Sequence, residues 1–157
     1  MIEITNLTKT FGDRTAVDAV SFGVAAGRVT GFVGPNGAGK STTMRMMVGL
    51  TRPDRGTVRY AGTLYADLPA PARAVGAVLD ARSMHPGRTA RNHLLAAAAL
   101  SDIPAQRVDE TLDRVGLTSA ADQRTGGFSL GMRQRLALAG ALLGEPEGLL
   151  LDEPSNG

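Results

Sequence analysis

Residues Gly34 to Thr42 read Gly-Pro-Asn-Gly-Ala-Gly-Lys-Ser-Thr and follow directly on the apolar run Val29 to Val33. They fit the pattern G-x-x-x-x-G-K-[ST], which works only where a strand ends in a loop and a helix begins. Val29–Val33 is therefore predicted to be a buried strand, and Ser41 to Val48 the first turns of a helix. Glycines at positions 34, 37 and 39 let the backbone bend tightly, in part at positive φ, so that successive N–H groups can turn inward onto phosphate oxygens. The predicted cradle runs through Gly34, Pro35, Asn36, Gly37, Ala38, Gly39, Lys40, Ser41 and Thr42. The helix start adds unpaired N–H groups and about half a positive charge, which favour a bound anion. Lys40 is placed to reach the β- and γ-phosphates of a nucleotide, and the Ser41 hydroxyl to ligate Mg²⁺.

At 157 residues the chain is one domain's worth of sequence. A hydrophobic fraction of 43% and a charged fraction of 20% are those of an ordinary globular protein. The formal charge of +2 and the scattering of arginines without a run give no nucleic-acid-binding signature. Lys9 and Lys40 are the only lysines, so the placement of one inside the motif carries weight. Cysteine is absent, which removes disulfides and thiolate metal sites and fits a reducing compartment. The longest apolar run, Leu94 to Leu100, falls far short of the ~18 residues of a membrane span, and the N-terminus lacks a signal-peptide pattern. A cytoplasmic location is expected.

Along the chain, Ile2 and Ile4, then Val20, Phe22 and Val24, alternate with polar neighbours on either side of Phe11-Gly12-Asp13-Arg14, predicting two strands joined by a tight turn. Thr57 to Tyr60 reads as a short strand, and Val75 to Leu79 as a buried parallel strand ending at Asp80. Thr89 is a predicted N-cap for an Ala- and Leu-rich helix to Leu100. A further helix, begun by Pro104, carries Val108, Leu112 and Val115 on one face and is closed by Gly116. The last helix starts at Ser129, with Met132, Leu136, Ala139 and Leu143 at helical spacing. Leu149-Leu150-Leu151 is the final strand. The expected architecture is an α/β fold with a mostly parallel sheet core, antiparallel strands at the N-terminus and a helical insertion. Residues 1–84 would form the core, 85–128 the helical part, and 129–157 the last helix and strand.

Ligands bind at the carboxyl ends of strands in such sheets, where Gly34, Asp80 and Asp152 are expected. A carboxylate there, Asp152, can hold the Mg²⁺ ligated by Ser41, and Glu153 beside it can polarise an attacking water. Ser129 begins a second helix whose N-terminus suits an anion. One domain does not readily aim both helix starts at one nucleotide, which points to a dimer in which each chain completes the other's site.

Three segments together resemble the phosphate loop, signature motif and Mg²⁺ strand of ABC-type ATP-binding domains. They are Gly34 to Thr42, Phe128-Ser129-Leu130-Gly131-Met132-Arg133-Gln134-Arg135, and Leu149-Leu150-Leu151-Asp152-Glu153-Pro154. The resemblance extends over essentially the whole chain, and the ATPase subunits of bacterial drug- or antibiotic-export transporters are the most similar. It implies a P-loop NTPase core, ATP and Mg²⁺ as cofactors, a second ATP-binding subunit and an integral-membrane permease as partners, and attachment to the inner face of the membrane through that permease. It places Phe11 against adenine with Val17 beside it, and Glu153 as catalytic base. Ser129, Leu130, Gly131 and Met132 fall on ATP held by the partner subunit, and roughly His85 to Thr125 on the permease.

The sequence departs from the family pattern at three places. Asp80 stands where a glutamine is usual, and as a carboxylate could still bind Mg²⁺ or water, though without donating a hydrogen bond when ionised. Phe128, Leu130 and Met132 replace commoner residues of the signature. The family's next loop, its switch histidine and the remaining core elements have no counterpart before Gly157, so a C-terminally truncated domain is expected. On that expectation, ATP binding without turnover, or pairing with an intact subunit, is the alternative to hydrolysis. A non-transport ABC ATPase is a further one. His85 and His93 precede the signature and are expected on the surface or a helix face, and Arg133 and Arg135 on a solvated one.

Overall fold

The computed structural model describes residues 1–80 and 84–152. The chain divides into two compact units, Met1–Pro69 and Ala70–Gly157.

In the first unit, β1 (Ile2–Phe11) pairs antiparallel with β2 (Arg14–Val24) on one side and with β3 (Arg55–Tyr60) on the other. The short β4 (Thr63–Leu64) completes the order β2-β1-β3-β4. Cross-strand neighbours share a face, so Ile2 meets Val24 and Tyr60, and Ile4 meets Phe22 and Val58. The next buried residue of β1 is Leu7, not residue 6, because the register slips between Ile4 and Leu7. Asn6 takes up the slip with a φ of 49°, and its N–H donates to the Ser21 hydroxyl at 2.7 Å. A bulge of this kind moves the following side chain to the opposite face, and here it returns Leu7 to the core. Helix α1 (Lys40–Met47) buries Thr43, Met46 and Met47. The buried Tyr60 hydroxyl donates to the Met47 carbonyl at 2.9 Å, and burial raises its pKa far above the ordinary value.

The expected buried strand at Val29–Val33 is not formed. Among the described residues this segment joins no sheet, Val29 and Val33 are fully or almost fully exposed, and only Phe32 makes a defined contact, stacking on Phe22 at 5.2 Å. A run of β-branched residues carries strand propensity, but a parallel strand is held by neighbours distant in sequence. The strands of this unit's sheet pair instead with one another.

In the second unit, α2 (Pro71–Ala74) leads into β5 (Val75–Val78), which pairs in parallel with β6 (Gly148–Leu151). Between them lie α3 (Ala90–Leu100), α4 (Gln106–Arg114) and α5 (Leu130–Leu142). Thr89 caps α3 as expected, its hydroxyl accepting from the Asn92 amide at 3.1 Å. Leu94, Val108, Leu112, Leu117, Phe128, Leu136, Ala139 and Leu143 join in one core. Each leucine of this size contributes about 1.5–3 kcal/mol by leaving water. Around it, Arg91 pairs with Asp109 and Asp122, and Arg107 with Glu110 and Glu145. β5 and α5 meet at Gly76, where a methyl group would lie 2.0 Å from the Ala141 carbonyl oxygen. Only glycine permits that approach.

Candidate nucleotide-binding site

The phosphate loop is shaped by its own backbone and by β2. Gly37 and Gly39 adopt φ of 81° and 85°, open to glycine at little cost. The Ala38 amide donates to the Pro35 carbonyl at 3.2 Å. The Thr43 amide and hydroxyl both donate to the Gly39 carbonyl, at 2.8 and 3.0 Å, locking the loop to the first turn of α1. The amides of Lys40, Ser41 and Thr42 open the helix and have no carbonyl four residues earlier within it, so they point out of its N-terminus.

Beneath the loop, β2 carries an extra residue. Lys9 pairs with Val17 and Thr10 with Thr15, leaving Ala16 bulged between them. A Cβ on Gly39 would sit 2.2 Å from the Ala16 carbonyl oxygen and 3.0 Å from Val17. Val17 is buried at this junction. Lys40 folds back over its own loop, donating to the carbonyls of Gly34 at 2.7 Å and Pro35 at 2.9 Å. An ammonium has three donors, so one remains for an anion held in the cradle.

Phe11 ends β1 with its ring about half exposed, paired across the hairpin with Arg14. Arg14 donates to the Gly37 carbonyl at 3.4 Å. The aromatic platform and the phosphate loop are thus linked through a single hairpin. Arg14, Ala16 and Thr43 were not singled out by the sequence. Ala16 acts through a bulge and Arg14 through a loop carbonyl, and neither leaves a composition signal.

In the second unit, the Asp152 amide donates to the Val78 carbonyl at 2.9 Å, continuing the parallel ladder by one bond. With Val78 opposite Leu151, Asp80 and Asp152 both emerge at the carboxyl ends of their strands, as expected. Glu153 lies outside the described residues. The Ser129 hydroxyl caps α5, accepting from the Met132 amide at 3.2 Å. Leu130 is exposed, Met132 packs on the helical core, and nothing lies within 4 Å of a Cβ built on Gly131. Phe128 is buried in that core, so its replacement of a commoner residue is accommodated by packing. Arg133 and Arg135 are not merely solvated: they donate to the carbonyls of Phe128 and Gly116, at 3.1 Å each, and tie down both loops. His85 accepts from the Gly87 amide through Nδ1. His93 is half-buried on α3, and burial with the nearby Arg88 lowers its pKa.

The model of the ABC transporter family matches residues 17–156. The chain belongs to the ABC transporter family. The bacitracin transport ATP-binding protein BcrA of Bacillus licheniformis is 40% identical over 159 residues, covering 100% of this chain and 52% of that protein. Nod factor export ATP-binding protein I of Burkholderia lata is 40% identical over 166 residues, covering 99% and 53%. The ABC chain thus spans about half the length of the curated relatives it matches. Among solved structures, an ATP-binding subunit of an ABC transporter superposes with a TM-score of 0.84 at 27% identity, over 99% of this chain and 67% of the other. A dimeric ATP-binding cassette in a post-hydrolysis state with ADP and Pi gives 0.84 at 26%, over 99% and 75%. The fold is that of P-loop ABC ATPase domains.

ATP and Mg²⁺ are the cofactors of this family, and the ABC chain has a cradle to suit them. The loop is glycine where a methyl would strike backbone, and helix amides and an ammonium converge on it. Among the described residues no group of three or more His, Asp or Glu could hold a metal by itself. Mg²⁺ is commonly held by one or two carboxylates together with substrate phosphates and waters. Each within its own unit, Ser41 at the start of α1 and Asp152 at the end of β6 offer an oxygen ligand of that kind. Among the described residues no helix is long and apolar enough to cross a membrane.

Proposed function

We propose that this chain is the ATP-binding and ATP-hydrolysing part of a cytoplasmic ABC transporter subunit that powers a separate membrane permease, in the direction of export. The observation that carries the reading is the phosphate loop, with Gly39 packed against Ala16 and Lys40 arched over Gly34 and Pro35. The export direction is supported by relatives named for bacitracin transport and Nod factor export.

In this reading Phe11 receives adenine, with Val17 packed nearby beneath the loop, and Gly34 through Thr42 wrap the phosphates. Ser41 and Asp152, with Asp80 nearby on its strand edge, hold Mg²⁺, which when bound would neutralise phosphate charge and fix the reacting γ-phosphoryl. Glu153 accepts a proton from water as its oxygen attacks the γ-phosphorus and ADP leaves. Ser129, Leu130, Gly131 and Met132 face the γ-phosphate of ATP held by a second copy, so two chains close on two nucleotides. Residues 1–84 and 129–157 supply the nucleotide machinery, and residues 85–128 dock the permease, which keeps the subunit at the inner face of the membrane.

Equilibrium binding of MgATP to the wild type and to Lys40→Ala tests the core of this proposal. Loss of one charge-assisted contact to the triphosphate is expected to weaken binding by at least tenfold. Equal affinities would remove the phosphate loop from the function.

A further inference from the structure

Asp54 immediately precedes β3, yet it is bound to the end of β1 at three points. Its amide donates to the Thr8 carbonyl at 2.9 Å. Its Oδ2 accepts from the Thr10 amide at 2.7 Å, and its Oδ1 from the Lys9 ammonium at 2.8 Å. These bonds grip three consecutive residues, and the next one is Phe11. Lys9 and Phe11 lie two apart on a strand and so share a face. The Lys9 ammonium sits over the Phe11 ring, 5.4 Å from its centroid, within the range of a cation–π contact. Lys9 is only 17% exposed, so its stem is held as well as its charge. Its hydrogen bond and that of Thr10 also keep the Asp54 carboxyl below its ordinary pKa, so the carboxylate stays ionised.

We infer that Asp54 is a positioning residue for base recognition: it pins Lys9 against one face of Phe11 and so presents the other face, with the ring angle fixed, to a purine. This rests on the reading of Phe11 as the adenine platform. A free phenylalanine at a strand end loses rotamer freedom when a base stacks on it. With Lys9 packed behind the ring, that ordering has occurred before the ligand arrives, the general route by which preorganisation raises affinity. Among the described residues the bonds of Asp54 run to Thr8, Lys9 and Thr10 and not to the phosphate loop, which the hairpin reaches through Arg14. A ligand without a base therefore serves as the control for effects passed to the loop.

The test titrates the full-length protein with MgATP and, separately, with inorganic tripolyphosphate, which has no base. Asp54→Asn and Lys9→Met are expected to weaken ATP binding about threefold to tenfold while changing tripolyphosphate binding less than twofold, and Lys9→Arg to retain wild-type ATP affinity. Parallel weakening for both ligands would reduce Asp54 to a structural role and overturn the inference, as would unchanged ATP affinity. Phe11→Ala separates the two levels. If it leaves the ratio of the two affinities unchanged, the adenine-platform reading itself falls. If it changes the ratio and Asp54→Asn does not, only the role of Asp54 falls.

Discussion

Gly39 is held on two counts, a φ of 85° and the Ala16 carbonyl filling the space of its missing side chain. Gly39→Ala is therefore expected to destabilise the protein by about 2–4 kcal/mol in urea titrations, since left-handed strain alone costs 1–3 and the clash adds to it. Gly131, in open surroundings on α5, provides the control: Gly131→Ala should change stability by less than about 0.5 kcal/mol. The two glycines look equally motif-like in the sequence, and only the surroundings distinguish them. The residues of the phosphate loop were legible because each must be of one chemical type at one spacing. The Asp54–Lys9 pair was not, being 45 positions apart and unremarkable in either local context. Arg135 is exposed as expected and Arg133 partly buried, but their bonds to loop carbonyls were not legible for a related reason: the paths of those loops leave no local pattern.

At the level of elements, helical periodicity translated most directly into structure. The spacing of Leu136, Ala139 and Leu143 put all three in the core of the second unit, and the caps at Thr89 and Ser129 formed as their side chains require. Leu136→Ala is expected to cost about 2–5 kcal/mol by calorimetry or denaturant, whereas Leu130→Ala, at an exposed position of the same helix, should stay within about 0.5. Strands were read less well. β1 begins with alternation at Ile2 and Ile4, but the slip at Asn6 transfers the buried position to Leu7, and nothing about an Asn-Leu pair announces a bulge. Val29–Val33 failed in the other direction: its composition is that of a strand, but strand formation depends on partners, and among the described residues the sheet of its unit, β2-β1-β3-β4, does not include it.

For the whole molecule, family and fold were readable because three motifs occur in one order at consistent intervals, and the match over residues 17–156 bears this out. The proposed catalytic cycle turns on Glu153, so Glu153→Gln is expected to keep ATP affinity within about twofold of wild type and to abolish phosphate release. It should also increase the dimer fraction in ATP, as measured by light scattering; continued phosphate release would show that the base lies elsewhere. The bulge at Ala16 bears on how such a domain can vary in length. Its carbonyl rests against Gly39 while Phe11 and Arg14 flank the turn a few residues away. The stretch from Arg14 to Val17 therefore works as a ruler between the platform and the cradle: an added residue there would offset one from the other, whereas the Gly12-Asp13 tip can lengthen outward without disturbing that measure.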